Sequence, residues 1–318
     1  SVSRPHLLEK LNGGVNKKLT LVSAPAGYGK SVLVSQWLDQ YEGLSFWLSL
    51  DKADSSLRRF SAHLISNFQL QLPDHFQTTG KLLHSTDQIP VTALSACLLN
   101  DLLRLDRPCT LVLDDYHVLR ADSSVHELLE AFLEHHPDAL PAYQLLCEVY
   151  WETKAFDRAE ELLTSLPPDL EESVAGYLLR GETLFQAEKY ADAKSFYREF
   201  LKKYEWNESI ARGLAKTHEA LGEMANARNI YSEIMAQCSS CHSRIDPYIK
   251  QKFADLSFAS GLNTTAVLEL YLSLASEVPQ NAAEYYQKIS KIYSAQGNLE
   301  EARRFQQISE QYESKDAL

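Results

Sequence analysis

The 318-residue sequence has no long apolar run and few cysteines for its length. No apolar run approaches the roughly 20 residues that a helix needs to cross a bilayer, so we expect no membrane-spanning segment. No basic segment followed by an apolar one opens the chain, which predicts a cytoplasmic protein. Five cysteines form no disulfide framework at this length, so we expect reduced thiols.

Positive charge is also scarce. The chain carries 31 Lys and Arg against 43 Asp and Glu, a net charge of −12. Residues 1–137 hold 12 basic and 15 acidic residues, and residues 138–318 hold 19 and 28. Because binding to nucleic-acid phosphates needs clustered positive charge, the acidic second part argues against non-specific nucleic-acid binding there. The 45% hydrophobic and 23% charged content is typical of a globular chain, and its length allows two domains.

A glycine-rich turn near the start of the chain lies between a strand-like and a helix-like segment. Residues 19–23 (LTLVS) are apolar and β-branched, as in a buried parallel strand. Residues 32–41 carry apolar side chains at helical spacing. The turn itself, residues 24–31 (APAGYGKS), has the layout of a phosphate-binding loop in its relaxed form, because Ala24 stands where the strict motif has glycine. The alternative is an ordinary strand–turn–helix with a surface lysine.

The phosphate-loop interpretation predicts how these residues bind a nucleotide. Glycines let backbone N–H groups turn towards an anion, and the N-terminus of the following helix adds partial positive charge. Lys30 would reach the β- and γ-phosphates, and the Ser31 hydroxyl would be a ligand of Mg²⁺. The candidate nucleotide-binding residues are Ala26, Gly27, Tyr28, Gly29, Lys30, Ser31 and Val32.

A later strand candidate ends in two carboxylates. Residues 109–115 (CTLVLDD) form an apolar run that finishes with Asp114 and Asp115. Ligands bind at the carboxyl ends of the strands in open α/β sheets, so these acids are expected to face the phosphate loop. Asp114 would hold Mg²⁺ through water, and Asp115 would be the catalytic residue that polarises the attacking water. A further strand candidate covers residues 44–50.

Five separated stretches resemble, in order, the ATPase domain of the large LuxR-type transcription activators, which are maltose-regulon-activator-like regulators of the STAND class. The stretches are Arg4-Pro5, residues 21–30 (LVSAPAGYGK), residues 47–51 (WLSLD), Arg59-Phe60 and residues 111–117 (LVLDDYH). The resemblance covers residues 1 to about 137. It implies ATP and ADP binding with Mg²⁺, an ADP-locked inactive and an ATP-bound active state, and inducer-driven self-association.

The resemblance stops near residue 137. In that family a polar sensor strand lies between the phosphate-loop strand and the acidic strand, and no strand candidate follows the helix predicted over residues 125–133. The family's winged-helix lid and its helix-turn-helix also have no counterpart, so we expect no DNA-binding domain in this chain. At most slow ATP hydrolysis is expected, because no arginine finger can be assigned among Arg58, Arg59 and Arg120.

The sequence pattern changes to a repeat from residue 138. Ala159, Ala193 and Ala227 are evenly spaced at about 34 residues, which is the length of a tetratricopeptide repeat, a pair of helices. Two looser units are aligned on Ala266 and Ala302. We therefore expect about five helix pairs, stacked into a solenoid whose concave face binds a protein or peptide. A solenoid that serves only as a spacer is the alternative.

A cysteine motif lies in the longest gap between these repeats. Cys238, Cys241 and His242 form the CxxCH signature of c-type haem attachment, in which the histidine ligates the iron. Haem is attached outside the cytoplasm, whereas a phosphate-loop protein is expected inside it. A zinc site would need a fourth ligand, and no second Cys/His cluster is evident. A coincidence with structural thiols, haem c, and a zinc or redox role therefore all stay open.

Together these patterns predict an α/β plus all-α chain. Residues 1–137 would form a truncated phosphate-loop domain with a parallel three-strand sheet, and residues 138–318 would form a tetratricopeptide-type α-solenoid. The predicted function is nucleotide-linked regulation, in which an ATP-binding module is coupled to a protein-binding solenoid with slow or no hydrolysis. The alternative is a non-enzymatic tetratricopeptide scaffold with a vestigial nucleotide site. A third hypothesis, a haem-bearing repeat protein, depends on the CxxCH motif and the longer repeat gap around it.

Overall fold

The computed structural model describes residues 4–14, 20–22, 24, 27–85, 90–105, 108–120, 122–240, 245–262 and 264–316. The chain divides into two compact units, Ser1–Ala187 and Glu188–Leu318. Among the described residues, no helix combines the length and the apolar character that crossing a membrane requires.

The first unit combines a small parallel sheet with α-helices. Strands β1 (Leu44–Ser49) and β2 (Cys109–Asp114) pair in parallel along their whole length. Each strand is followed by a short 3-10 helix, Lys52–Ser55 after β1 and Tyr116–Val118 after β2. The α-helices of this unit are α1 (Pro5–Gly14), α2 (Lys30–Leu38), α3 (Leu57–Gln71), α4 (Gln77–Ser85), α5 (Val91–Leu102), α6 (His126–His135), α7 (Leu140–Glu152), α8 (Phe156–Thr164), α9 (Pro168–Glu171) and α10 (Val174–Gln186).

Strand β1 is fixed by an aromatic cluster. Phe46 and Leu48 are fully buried and alternate along β1 with partly exposed residues, which is the period of a strand. Phe46 packs edge-on against Phe68 of α3, with ring centroids 4.5 Å apart, and Phe68 stacks on Phe76 at 4.3 Å. Because these rings anchor β1, they also determine where the carboxyl ends of the two strands lie.

The expected three-strand sheet is corrected to two strands in the described residues. Residues 20–22 of the expected phosphate-loop strand belong to no strand, and residues 19 and 23 lie outside the described part of the chain. The reason lies in the pairing, because a strand is held by a neighbour that satisfies its backbone groups. The sensor strand that would separate the phosphate-loop strand from β2 has no counterpart in the described part of the chain, where α6 and α7 follow β2.

From α7 onward the chain runs as successive helix pairs, as the repeat spacing predicts. In the first unit α7 contacts α8, and α10 contacts both. In the second unit each helix contacts the next one along the chain, and a 3-10 turn, Pro279–Asn281, precedes α16. The helices of the second unit are α11 (Tyr190–Lys203), α12 (Glu208–Ala220), α13 (Met224–Ser240), α14 (Pro247–Ala259), α15 (Thr265–Glu277), α16 (Ala282–Ala295) and α17 (Leu299–Asp316).

The fourth residue of the second helix in each pair is buried. It is Ala159 in α8, Ala193 in α11, Ala227 in α13, Leu268 in α15 and Ala302 in α17. The alignment of the fourth repeat on Ala266 is therefore wrong, because Ala266 is exposed and Leu268 takes the buried place. With that correction the step from Leu268 to Ala302 equals the step between the earlier alanines, and the longer, irregular gap runs from Ala227 to Leu268.

The first helix of each pair ends in a left-handed residue. This residue lies two positions beyond the last helical one, with φ between 59° and 80°, and it is Lys154, Glu188, Gly222, Gly261 or Gly297. In the pairs that begin with α7, α12, α14 and α16, the backbone N–H just beyond it bonds back to a carbonyl five residues earlier, as Ala155 does to Tyr150 at 2.8 Å. This is the Schellman ending of a helix, and it turns the chain into the second helix of the pair.

Helices α6 and α7 share a hydrophobic core across the predicted domain boundary at residue 137. Leu133 of α6 is buried together with Tyr143 and Leu146 of α7. The compact units instead divide between residues 187 and 188. The boundary at residue 137 follows from a change of sequence pattern, and it stays a prediction.

Candidate nucleotide-binding site

The backbone of the phosphate loop has the conformation that its glycines permit. Gly27 and Gly29 have φ of 81° and 76°, in the left-handed region that other residues rarely adopt. A Cβ atom at either glycine would meet nothing within 4 Å, so the loop is open in front of them. Gly29 is also the N-cap of α2, whose first turn has neither a side-chain cap nor an acidic residue. The first N–H groups of α2 are therefore suited to an anion.

Two cationic side chains hydrogen-bond to carbonyl groups of this loop. Lys30 donates from Nζ to the carbonyl oxygen of Ala24 at 2.5 Å. Arg4, which immediately precedes α1, donates from Nη1 to the carbonyl oxygen of Tyr28 at 3.0 Å. The motif predicted that Lys30 binds the nucleotide phosphates, and that role stays a prediction. It gave no role to Arg4, although Arg4 belongs to one of the five stretches that carry the family resemblance.

The phosphate loop and the acidic strand meet at Ser31 and Asp114. The Ser31 hydroxyl lies 2.9 Å from Oδ2 and 3.1 Å from Oδ1 of the Asp114 carboxylate, so it donates to that group. Asp114 is the last residue of β2, opposite Ser49 in the parallel pair, and its carbonyl oxygen accepts from the N–H of Leu50 at 3.0 Å. The sheet register therefore carries the carboxylate to the start of α2.

This pair of oxygen donors suits Mg²⁺. The cation prefers hard oxygen ligands and keeps several of its waters. While the Ser31 hydroxyl donates its proton to Asp114, its lone pairs stay directed elsewhere for a cation, and the carboxylate can still accept from a metal-bound water. In the described residues, no group of three or more His, Cys, Asp or Glu side chains is arranged to hold a metal ion.

Asp115 has an unusual backbone that its neighbours support. Its φ of 59° lies in the left-handed region, and its carbonyl oxygen accepts from the N–H of Val118 in the following 3-10 turn. The next residue, Tyr116, is buried, and its hydroxyl oxygen lies 2.9 Å from Nδ1 of His126. Nε2 of His126 lies 2.8 Å from the carbonyl oxygen of Arg120. Because a carbonyl only accepts, Nε2 carries the proton and Tyr116 donates to Nδ1.

This buried contact continues towards the first repeat. The ring of His126 packs edge-on against Tyr150 of α7, with centroids 5.9 Å apart. Tyr150 donates its hydroxyl to Glu130 at 2.7 Å, and Arg158 of α8 pairs with the same carboxylate at 3.2 Å. Burial lowers the pKa of His126 and raises the pKa of Tyr150 above its ordinary value. Sequence analysis missed this cluster, because nothing in the spacing of its members signals their contact.

Two of the three arginines considered for a catalytic finger are paired with carboxylates. Arg59 contacts Asp51 at 3.0 Å, and Arg120 contacts Asp122 at 2.8 Å. The N–H of Ala53 and the charge of Arg59 both lower the pKa of Asp51. The structure therefore assigns neither Arg59 nor Arg120 to the phosphate loop.

The remaining predicted residues divide into described and undescribed positions. Tyr28 and Val32 are 63% and 53% exposed at the mouth of the loop, and Ala26 lies outside the described residues. Cys238 of α13 lies with its Sγ 3.6 Å from an oxygen of Glu208. Its predicted partners Cys241 and His242 lie outside the described residues, so the CxxCH motif stays a prediction.

Comparisons with known proteins match the first part of the chain to an ATPase domain and two later segments to helical repeats. Residues 6–146 match the AAA ATPase domain, and residues 124–180 and 283–307 match tetratricopeptide repeats. The HTH-type transcriptional regulator MalT of Yersinia enterocolitica is 37% identical over 145 residues, which are 46% of this chain and 16% of that protein. MalT of Yersinia pestis is 38% identical over 140 residues, 44% of this chain and 15% of that protein. The chain thus spans less than a fifth of the length of these relatives.

Solved structures that match this chain have low sequence identity to it. BtubC (BKLC) from P. vanneervenii has a TM-score of 0.48 at 16% identity and covers 62% of this chain and 89% of its own. YrrB, a TPR protein with an unusual peptide-binding site, has a TM-score of 0.45 at 16% identity and covers 59% and 93%. From the family matches, the chain joins a segment within residues 6–146 that resembles the ATPase domain of the MalT-like LuxR-type STAND regulators to tetratricopeptide repeats within residues 124–180 and 283–307.

Proposed function

We propose that residues 1–137 bind ATP or ADP with Mg²⁺ at the phosphate loop, and that the bound nucleotide regulates the protein contacts of the repeats in residues 138–318. The observation that carries this proposal is the contact between Ser31 and Asp114, 2.9 Å apart and 83 residues apart in sequence. An ordinary strand–turn–helix gives no reason for a serine at the start of α2 to meet the last residue of an acidic strand. A Mg²⁺–nucleotide site requires these two side chains to lie close together, because both would hold the same cation.

The polar groups of the loop have defined tasks in this proposal. Lys30 would exchange the carbonyl of Ala24 for a phosphate oxygen, because a cation gains more from an anion than from a neutral carbonyl. The N–H groups at the start of α2 would bind the same phosphates. Arg4 would add a second positive charge beside the loop. When bound, Mg²⁺ would neutralise part of the phosphate charge, held by Ser31 and by Asp114 through water.

We propose at most slow hydrolysis, with Asp115 as the residue that orients the attacking water. Rapid phosphoryl transfer needs a positive group at the γ-phosphate as well as a positioned water. Arg59 and Arg120 pair with carboxylates, so we assign neither of them to that role. A nucleotide that is exchanged more often than it is hydrolysed suits a switch. By analogy with the MalT regulators, we propose a role in cytoplasmic signal transduction linked to transcription regulation. The proposed partners are a second copy of the chain and a protein or peptide bound by the repeats.

Calorimetry of ATP and ADP binding, with and without Mg²⁺, tests this proposal. Lys30→Ala should abolish binding, and Ser31→Ala should remove most of its Mg²⁺ dependence. Two exposed residues of the same unit give matched controls, Lys81→Ala and Ser35→Ala, and both should bind like the wild type. Wild-type affinity in Lys30→Ala would refute a nucleotide site at this loop.

The geometry of residues 20–22 favours a second candidate function. These residues form no strand, although a competent phosphate loop normally follows one. The repeats would then act as a scaffold, and the nucleotide motif would be vestigial. This candidate predicts no measurable ATP or ADP binding, and partner binding by the full chain that is identical in the wild type and Lys30→Ala. A change of partner affinity on adding Mg²⁺–ATP would exclude it.

A further inference from the structure

Strand β1 has a neighbour at both of its edges. Alternate residues of β1 direct their backbone groups at β2, beginning with Leu44, whose N–H donates to the carbonyl of the residue before β2 at 3.0 Å. The carbonyls of Ser45 and Trp47 lie on the other edge, where they accept from side-chain amides of α3. Gln71 donates at 2.8 Å and Asn67 at 2.9 Å. These outer carbonyls of β1 are therefore satisfied within the unit.

The outer edge of β2 is open in the part of the chain that the structure describes. Because the even-numbered residues of β2 bond to β1, the N–H and C=O groups of Cys109, Leu111 and Leu113 point away from β1. None of the described residues donates to these groups or accepts from them. Leu111, in the middle of this edge, is 37% exposed. Such a row of unpaired backbone groups is a template for a further strand.

The sequence of β2 does not protect this edge against pairing. Exposed edges in natural proteins are commonly protected by a charged side chain, a proline or a bulge. Residues 109–113 (CTLVL) contain no charge and no proline, and their register with β1 is continuous. Cys109 and Leu113 pack on the core of the unit, and Leu111 belongs to the same face of the strand. The edge therefore combines unpaired backbone groups with apolar side chains.

This edge is complementary to itself in the antiparallel orientation. When Leu111 lies opposite Leu111 of a second copy, each outward N–H of residues 109, 111 and 113 meets an outward carbonyl of the other copy. The side chains that then face one another are apolar, because Cys109 lies opposite Leu113. A parallel pairing would instead bring Asp114 and Asp115 of both copies together, and like charges repel. The antiparallel pairing keeps these carboxylates at opposite ends.

We propose that two copies of the chain associate through the outer edges of β2, paired antiparallel about Leu111 into one continuous sheet of four strands. The same surface is used on both copies, so the association closes at a dimer and does not continue into a filament. The inference rests on the self-association proposed above and names the surface for it. It requires no bound nucleotide.

Sedimentation equilibrium of the full chain in reducing buffer measures the association. The wild type should change from monomer to dimer between about 1 μM and about 500 μM protein. Residue-resolved hydrogen exchange then locates the interface. The N–H groups of residues 109, 111 and 113 should be about tenfold better protected at the high concentration, because they are bonded only in the dimer. Those of residues 110 and 112, which face β1 in either state, should change much less.

A pair of matched variants tests the same edge by charge. Leu111→Lys places two like charges opposite one another, so it should weaken the dimer at least about tenfold. Leu70→Lys introduces the same charge at a leucine of α3 that is 82% exposed, and it should associate like the wild type. Circular dichroism melts establish that each variant folds. If Leu111→Lys does not fold, the alternating exchange pattern of the wild type decides the case without a variant.

Three results would overturn the inference. They are a wild type that stays monomeric up to about 500 μM, a dimer in which residues 109, 111 and 113 gain no protection, and a folded Leu111→Lys chain that associates like the wild type. The second and third would leave self-association through another surface. The Lys30→Ala variant separates the inference from the nucleotide proposal, because it should dimerise like the wild type even where it loses ATP.

Discussion

The contacts that stabilise the ATPase-like segment join residues far apart in the sequence, whereas the contacts that stabilise the repeats join residues closer in sequence. In the repeats of the second unit, Glu219 accepts from Tyr231 at 2.6 Å and pairs with Lys252 at 2.7 Å. Both partners lie in the same or the next helix pair. In the ATPase-like segment, β1 exists because Leu44 pairs with Cys109, which follows only after α3, α4 and α5. The repeats are therefore stabilised by near neighbours, and the small sheet is stabilised by a distant one.

The repeats also reuse their contacts. Asp255 accepts from Tyr271 at 2.7 Å and pairs with Lys288 at 2.7 Å, which is the arrangement around Glu219 displaced to the next repeat. Burial and the carboxylate bond raise the pKa of Tyr271 above its ordinary value. No such duplication exists among the described residues of the sheet, where each strand has a single partner. A destabilising substitution in the sheet should therefore affect more of its surroundings than one in a repeat.

The largest expected effect is in the sheet core. Phe46→Ala removes a fully buried ring that packs on Phe68, and it should lower the free energy of unfolding by about 3–5 kcal/mol. Because β1 depends on this ring, the loss should appear in hydrogen exchange over both β1 and β2. Leu70→Ala in α3 is the control, since Leu70 is 82% exposed. Protection of β2 equal to that in the wild type would contradict the dependence of one strand on the other.

Gly213→Ala in α12 of the repeats should cause an intermediate loss in the free energy of unfolding. A Cβ at this position would lie 2.7 Å from Cζ of Tyr197, a buried ring of α11, so the ring has to move. Overpacking of this kind costs about 1–3 kcal/mol. The exchange of α11 and α12 should increase, and that of α16 and α17 should stay as in the wild type. An equal increase throughout the second unit would mean that the repeats are not stabilised by near neighbours.

The buried histidine beside the candidate site predicts a smaller, pH-dependent effect. Burial lowers the pKa of His126 in the folded state, so the folded protein takes up its proton less readily than the unfolded chain. The stability should therefore begin to fall as the pH drops below about 6.5, with a loss of about 1 kcal/mol between about pH 7.5 and about pH 5.5.

Denaturant unfolding at several pH values measures this effect. His126→Gln keeps a donor and an acceptor and does not titrate, so its stability should depend less on pH. Burial lowers the pKa of His218 in the second unit as well, and that residue should leave a remaining slope in the variant. An unchanged slope in His126→Gln would show that His126 is as accessible to protons in the folded chain as in the unfolded one.

The smallest effect is expected at the helix endings of the repeats. Lys154 and Glu188 occupy the left-handed position that is glycine in three other pairs. A side chain there costs about 1 kcal/mol of strain. Lys154→Gly should therefore raise the free energy of unfolding by about 0.5–1 kcal/mol, measured as a slightly higher melting temperature. Glu152→Gly, at the last residue of α7 two positions earlier, should have the opposite sign because glycine is unfavourable in a helix. The same sign for both would contradict this explanation.

Sequence patterns predicted the repeats well because each repeat is a pair of helices with a buried residue at the same position. The alanine spacing gave the helix pairs, and the structure corrected its phase at Leu268, where a larger residue fills the place of the alanine. In the ATPase-like segment the phosphate-loop motif pointed to Lys30 and Ser31, and the apolar run that ends in two acids pointed to Asp114; the nucleotide-binding roles of all three stay predictions. It did not give the position of Arg4 on the loop, because a backbone carbonyl accepts it and no sequence signal marks such a contact.

What the amino-acid sequence determined by itself was whatever depends on spacing: a loop of glycines before a helix, two acids after an apolar run, and alanines that recur at a constant interval. The tertiary structure alone decided that the described sheet has two strands and that His126 connects Tyr116 to the first repeat. The physical reason is that helices and turns are formed by residues close in the chain. Strand pairing and buried polar contacts instead depend on which distant segments are there to satisfy them.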